Sequence, residues 1–491
     1  MSLTSALNTA QSIFNNTGTQ SSVVSNNIAN AGNSDYVRRQ AMITTSMDGA
    51  IVTKTARAQE DALYRQLLRA SAQDAGQQRL YQGLEDIKAT IGGNDYETAP
   101  SEYLGVLQEK LQAFATSPSS MTAAQSVISA AQDVANNLNK SSAAIQDIRE
   151  SADKEIATTV DKLNTLLAQF KTANDAVKSA TANGGDPNNA LDQRDGLLKQ
   201  ISQIVGITTV TRDNNDVAIY TTAGGTPLFD VIPRDVTFDA TDTYTATTVG
   251  NGIYVDGVKL EAGKGSTTTG QGTLPALLQL RDDIAPTYQS QLDEIARGLV
   301  TMFAEDGNGT PPDPTLPGLF QWTQTDGTAG GMPGTTLITG MASTITVSDA
   351  VITSKGGDPM KLRDGAINGA TYDQNANDEE GYSALLDKYA TSMDSPITFD
   401  AAAGVDTSSS ILEFASNSIG WIEEYRSNAA TSAENTSASL SRSDEAYSNE
   451  TGVNLDEELS LLLDIEQSYK AATKILSAVD EMLKSLLDIA S

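Results

Sequence analysis

All 14 prolines of this 491-residue chain lie between Pro100 and Pro396. Proline removes an amide donor and clashes with the preceding helical turn. The first 99 and last 95 residues are therefore free to be helical. From the start, Leu3, Leu7, Ala10, Phe14, Thr17, Ser21, Val24 and Ile28 recur in steps of four and three. This spacing lays a seam along a coiled-coil helix. The seam ends at Asn30-Ala31-Gly32-Asn33, where Gly and Asn tolerate a left-handed C-terminal cap. At the other end Leu455, Leu459, Leu462, Ile465, Tyr469, Ala472, Leu476, Val479, Leu483 and Leu486 form a stronger seam. Asn454 with Glu457 three positions on is a capping-box pattern, and Asp456, Glu457 and Glu458 suit the positive end of the helix dipole. A helix with one apolar face has nothing to bury it against alone in water, so these two are expected to pair with each other, with neighbouring copies, or both.

A third seam runs from Ala124 through Ile128, Ala131, Leu138, Ile145, Ala152, Ile156, Leu163, Leu166 and Phe170 to Val177, interrupted only by Arg149. A helix of that length is roughly 80 Å long, which predicts an elongated rod. Asn183-Gly184-Gly185-Asp186-Pro187 ends it, and a shorter helix carries Leu191, Leu198, Ile201 and Ile204. From Gly206 the period changes to two: Val217 and Ile219 follow an Asp213-Asn214-Asn215-Asp216 turn, and Ile253 and Val255 face Val258 and Leu260 across Asp256-Gly257, a type I′ hairpin signal. Helix returns from Leu274 to Phe303, residues 306–317 read as a linker, residues 318–410 mix short runs such as Ile345-Thr346-Val347 with Gly and Asp turns, and residues 411–447 are helical. The fold class is mainly α with inserted β-rich regions, an α+β multidomain chain. Its expected division is a terminal coiled-coil core (1–70 with 435–491), a helical rod domain (71–205, 272–305 and 411–434), a β-rich hairpin region (206–271) and a β-rich outer domain (306–410).

Composition removes several functions. With 63 acidic against 32 basic side chains the formal charge is −31, which repels phosphate backbones and anionic lipid headgroups, so neither nucleic acid nor membrane is an expected partner. There is no cysteine and no histidine, which excludes disulfides, thiolate metal sites and imidazole-based triads. The N-terminus, with no basic cluster ahead of an apolar core, does not read as a secretory signal, so export is expected by another route.

Two further patterns carry a resemblance. Ser25-Asn26-Asn27-Ile28-Ala29-Asn30-Ala31, followed by Tyr36 and by Arg39-Gln40, resembles the N-terminal signature of the flagellar rod, hook and hook-associated proteins, with Gly32-Asn33-Ser34-Asp35 in place of the usual Thr-Pro-Gly turn. The run from Ser448 through Gly452, Asn454, Leu455 and Glu458 to Leu459, and then Gln467 to Ala472, resembles the C-terminal signature of the hook-associated branch. So do Leu191-Asp192-Gln193-Arg194-Asp195-Gly196-Leu197-Leu198 and the block from Gly272 to Asp282. The resemblance implies a structural subunit at the junction between hook and filament, exported through the flagellar type III route and placed outside the cell. Its implied partners are further copies of itself in a ring or helical assembly, hook protein, hook-associated protein 3, and an export chaperone on the C-terminal helix; it implies no cofactor and no metal. The seam residues, Leu3 to Ile28 and Leu455 to Leu486, are the expected assembly surface.

The rivals within that class are a rod or hook subunit and flagellin, which lacks the Asn-Asn-Ile-Ala-Asn block. From another class comes a carboxylate-based enzyme using Asp282-Asp283 or Glu379-Glu380; adjacent helical residues point about 100° apart and read as solvated surface instead. Asp306-Gly307-Asn308-Gly309 superficially matches a calcium loop without its twelfth-position Glu and reads as a turn. Trp322 and Trp421 read as core or domain-contact anchors.

Overall fold

The computed structural model describes residues 3–33, 35–46, 49–268, 270–309 and 313–490. Its helices, in chain order, are α1 (Leu3–Ala29), α2 (Asp61–Thr90), α3 (Pro100–Thr116), α4 (Met121–Ala182), α5 (Asn188–Ile204), α6 (Thr273–Gln279), α7 (Ala285–Met302), α8 (Met341–Thr344), α9 (Lys361–Asp364), α10 (Ala384–Asp394), α11 (Ile411–Thr451) and α12 (Leu455–Ala490). Helix α4 is 62 residues long, about 93 Å at 1.5 Å per residue. The architecture is mainly helical with small antiparallel sheets. The chain forms two compact units, one of Met1–Asp74, Lys162–Val236 and Asn435–Ser491, the other of Ala75–Asp161 and Thr237–Glu434.

In the first unit α1 packs along α12, and a hairpin of β1 (Arg39–Ser46) and β2 (Gly49–Arg57) lies against α1. No strand was expected in the proline-free N-terminal stretch, and this hairpin follows directly after the predicted end of the first helix. Absence of proline permits a helix without demanding one, and β-branched residues at 43–45 and 51–53 favour a pleated pair. A four-stranded sheet follows in the order β3 (Ile207–Thr211), β4 (Val217–Thr221), β5 (Pro227–Asp230), β6 (Ile232–Pro233). The β3–β4 turn places Asn214 and Asn215 at positive φ, which Asn tolerates. Phe170 of α4 meets Phe229 of β5 edge-on at 4.9 Å between ring centres. Burying side chains of this size contributes about 1.5–3 kcal/mol each.

The second unit is built around α7. Tyr288, Leu292, Ile295 and Leu299 are buried, Phe303 packs on Phe320 (5.2 Å) and Tyr389 (4.9 Å), and Phe399 stacks on Phe414 at 3.8 Å. The helix expected from Leu274 onward contains a π turn, Leu280–Ile284, just ahead of Pro286. Pro286 has no amide to offer the carbonyl five residues back, that of Arg281, and Arg149 Nε donates to that oxygen instead at 3.0 Å. Arg149, the single interruption of the α4 seam, is thus a buried residue of it. Its guanidinium also donates to Thr245 O, Thr248 O and Gln146 Oε1, so the charge enters the core with its donors occupied. The Asp256-Gly257 hairpin is present, both residues at positive φ as a type I′ turn requires.

Residues 306–410 are less β-rich than expected. Among the described residues there, strand is confined to the two-residue pairs Phe320–Gln321 with Thr346–Val347 and Ile397–Thr398 with Ser408–Ser409, beside short helices, 3-10 turns and bends. Side chains replace ladders as backbone partners there. The Glu305 carboxylate accepts from the Ile367 and Asn368 amides, and Asp293 accepts from those of Gly340 and Ala342.

Candidate assembly site

Helices α1 and α12 run antiparallel. Phe14 meets Tyr469 edge-on at 5.0 Å, while Arg38, beyond the C-terminal end of α1, reaches Glu457 and Glu458 at the start of α12. The buried line between them takes steps of seven on both helices: Ala10, Thr17 and Val24 on one, Ile465, Ala472 and Val479 on the other. Thr17 fits this line because its hydroxyl donates to Ile13 O at 2.8 Å, so no polar group is left unpaired.

Of the sequence-predicted seam residues, Ala10, Thr17, Val24, Ile465, Ala472 and Val479 are buried, and Phe14, Ser21, Ile28 and Leu462 are half-buried. Leu7, Leu455, Leu459, Tyr469, Leu476, Leu483 and Leu486 face solvent, and the Leu3 side chain lies outside the described part. The surface goes further than the seam pattern. Leu463 (59% exposed) and Leu487 (67%) stand outside the seven-residue lattice, with Leu461 and Met482 beside them. Helix α12 therefore carries one apolar line satisfied by α1 and a second, broader one that nothing among the described residues covers.

Three separated sequence blocks converge where the two helices meet. The Asn27 amide donates from Nδ2 to Arg39 O (2.9 Å), and its Oδ1 accepts from the Tyr36 hydroxyl (2.8 Å) and the Arg39 amide (3.0 Å). This side chain fixes the path of the chain as it leaves α1. Asn30 closes the helix end by donating from Nδ2 to Asn26 O at 2.8 Å, Ala29 is exposed, and Gln40 pairs with Ala56 in the hairpin. Arg39 reaches Asp192 at 3.0 Å, and Arg57 reaches both Asp192 (3.0 Å) and Asp195 (2.8 Å), so the Leu191 to Leu198 block is tied to the hairpin. Burial pushes both carboxyls upward in pKa, against the opposing pull of Arg57. On the far side the Arg38 amide donates to Thr451 O (2.8 Å) and its Nε to Glu458 Oε1 (2.7 Å). Gly452 is held by close approach: a Cβ there would lie 2.5 Å from Ser448 O. Asn454 Oδ1 accepts from the Asp456 and Glu457 amides, so the predicted cap is made. The capping box is not completed as expected, because the Glu457 carboxylate turns to Arg38 at 3.1 Å. Sequence reasoning missed Arg38 and Arg57; Arg38 stands beside the quoted Arg39-Gln40 pair, while Arg57 is adjacent to none of the quoted motifs.

Comparison with known proteins places these blocks. A profile of the flagellar hook-associated protein FlgK helical domain matches residues 93–306, and one of the flagellar basal body rod FlgEFG protein C-terminal region matches residues 445–489. Flagellar hook-associated protein 1 of Bacillus subtilis (strain 168) is 24% identical over 519 residues, spanning 95% of this chain and 94% of that one. The chain is similar to flagellar hook-associated protein 1 along nearly its whole length. Flagellar hook-associated protein 1 of Escherichia coli (strain K12) is 24% identical over 226 residues, 43% of this chain and 40% of that protein. Among solved structures, the flagellar hook junction protein FlgK from Burkholderia pseudomallei is 22% identical with a TM-score of 0.42, covering 52% of this chain and 46% of that one.

The fourth resembling block, ending at Arg281-Asp282, lies in the second unit. Fully buried Arg281 pairs there with Asp153 (2.5 Å), which also accepts from the Tyr244 hydroxyl (2.6 Å). The carboxylate pairs do not form a site: Asp282 pairs with Arg281, and Asp283, Glu379 and Glu380 are exposed. Among the described residues no cluster of three His, Cys, Asp or Glu side chains could hold a metal ion, and no helix is long and apolar enough to cross a membrane. Asp306 pairs with Lys388 at 3.1 Å. Both tryptophans are half-buried rather than core: Trp322 covers Gly330 and donates to Gly331 O, and Trp421 lies 4.4 Å from Tyr425.

Proposed function

We propose that this chain is a structural subunit of the bacterial flagellum that forms the junction between hook and filament, polymerising at the distal end of the hook so that the filament can be built on it. The observation that carries the reading is the second apolar line of α12, with Leu459 (50% exposed), Leu463 and Leu486 (57%) open to water in the single chain. Burial of each such side chain contributes about 1.5–3 kcal/mol, which subunit contacts supply and the monomer does not. Likeness to the Bacillus subtilis protein along nearly the whole chain supports the same reading.

The partners are further copies in a ring or helical array, hook protein below and hook-associated protein 3 above. Before assembly, an export chaperone covers the apolar side of α12 as a helix-in-groove ligand. The working location is outside the cell, and the chain does no catalysis. Residues 306–410 form the outward-facing domain, while α1 and α12 belong to the axial core.

Deleting the gene and imaging the cells tests this. Hooks without filaments, with flagellin released into the medium, are expected. Normal filaments in the deletion strain overturn the assignment.

A further inference from the structure

The chain contains four Asn-Gly pairs: Asn183-Gly184, Asn251-Gly252, Asn308-Gly309 and Asn368-Gly369. A following glycine, lacking Cβ, leaves its backbone nitrogen free to approach the asparagine side-chain carbonyl. Because the neighbour is the same in all four, their intrinsic reactivity is alike and the fold decides which pair reacts. The amide must swing onto the glycine nitrogen, so a side chain held by another part of the chain reacts only after that contact opens.

Three of the pairs are held from a distance. Asn251 Nδ2 donates to Asp239 O at 2.9 Å, and its own backbone carbonyl accepts from Arg281 at 2.7 Å. Asn308 donates from Nδ2 to Asp373 O (2.5 Å) and from its backbone amide to Thr371 O (2.8 Å). Half-buried Asn368 donates from Nδ2 to both Glu305 Oε2 and Pro317 O, each at 2.9 Å. Asn183, by contrast, is exposed at the end of α4, and its Nδ2 meets Ser179 Oγ, one turn back on the same helix, at 3.4 Å. Gly184 sits at a φ of 68°, its amide 3.3 Å from Thr181 O and that of Gly185 2.8 Å from Ala180 O, a Schellman helix end. Freeing this side chain opens no more than the last turn, the part of a helix that frays first.

We propose that Asn183 is the residue at which this chain first modifies itself, by losing ammonia to attack from the Gly184 nitrogen. That nitrogen bonds to Asn183 Cγ and gives up its proton, the Cγ–Nδ2 bond breaks, and the proton leaves with the amide group as ammonia. Water then opens the imide ring. Attack at Cγ returns aspartate, and attack at the backbone carbonyl returns isoaspartate, with the chain routed through Cγ. Either product places a new negative charge at the C-terminal end of a 62-residue helix, where the dipole is already negative, and three residues ahead of Asp186. The last turn of α4, which meets the β3–β4 turn through Thr181 and Asn215, loosens as a result.

Incubating the purified full-length chain in mildly alkaline buffer, and in parallel in guanidinium chloride, tests this by peptide mapping and isoaspartate quantification over time. In the folded chain, conversion at Asn183 is expected at least about tenfold faster than at Asn251, Asn308 or Asn368, whose contacts must open first. In guanidinium chloride the four should react at similar rates. Asn183→Gln, whose extra methylene disfavours ring closure, should remove the product from that peptide and leave the other three unchanged. Equal rates at all four pairs in the folded chain, a faster rate at any held pair, an unreacted Asn183, or a ranking that survives in guanidinium chloride overturns the proposal.

Discussion

Arg38 Nε stands 2.7 Å from Glu458 Oε1 and joins residues 420 positions apart. The Glu458 side chain is essentially inaccessible, so this ion pair, with the Arg38 amide on Thr451 O, locks the end of α1 to the start of α12. Removing one partner of a buried pair leaves the other charge uncompensated. Arg38→Ala should cost about 3 kcal/mol and reduce helicity, read by urea unfolding followed by circular dichroism. A loss below about 0.5 kcal/mol, typical of surface pairs, would mean the clasp is ornamental.

Asn27→Ala deletes three hydrogen bonds and leaves the buried Tyr36 hydroxyl without its acceptor. A loss of about 2–3 kcal/mol is expected in thermal unfolding. Asn27→Asp keeps the acceptor and loses only the donor to Arg39 O, so it should fall between the parent and Asn27→Ala.

The two apolar lines of α12 should separate by mutation. Ile465→Ala, in the buried line, should destabilise the single chain by about 2–4 kcal/mol. The combined change of Leu459, Leu463 and Leu486 to Ser should leave its unfolding midpoint almost unmoved and abolish self-association and addition to isolated hooks. Sedimentation velocity and hook pull-down read the second effect; unimpaired addition by the triple variant would remove α12 from the proposed interface.

Asp293 sets a pH dependence in the second unit. Burial pushes its carboxyl up to about 6 from an ordinary 3.8, with amides of Gly340 and Ala342 pulling the other way. The folded chain thus holds this proton to higher pH than the unfolded chain does. The resulting stabilisation is complete below about pH 4 and is lost as pH rises through 6, up to about 3 kcal/mol. Replacing it in Asp293→Asn should flatten that part of the stability profile, measured by denaturation at pH 4, 5, 6 and 7.

The helices were legible because their signals are local. Seam spacing found α1, α4 and α12, the Asp256-Gly257 pair found its hairpin, and Asn454 found its helix start. What sequence hid was held by distance. Arg149 looked like a flaw in a seam until Pro286, far along the chain, left the Arg281 carbonyl without an amide. The β1–β2 hairpin went unread because no Asn-Gly or Asp-Gly turn pair stands between clean alternating runs there, as one does at Asp256-Gly257. The site was half visible: the spacing named the apolar residues of α12, yet which of them α1 covers and which stay open depends on the rotation of one helix about the other, and a repeat of sevens and fours does not fix that rotation.

An amphipathic rod usually hides its greasy side and is finished. Helix α12 hides one and displays another, so in the assembly proposed above the solubility of the lone molecule and the cohesion of the polymer fall to the same leucines with opposite sign. On that proposal, polishing them for easier purification strips the glue from the assembled structure, and any natural variant that keeps the glue must live with a tendency to cluster before it arrives.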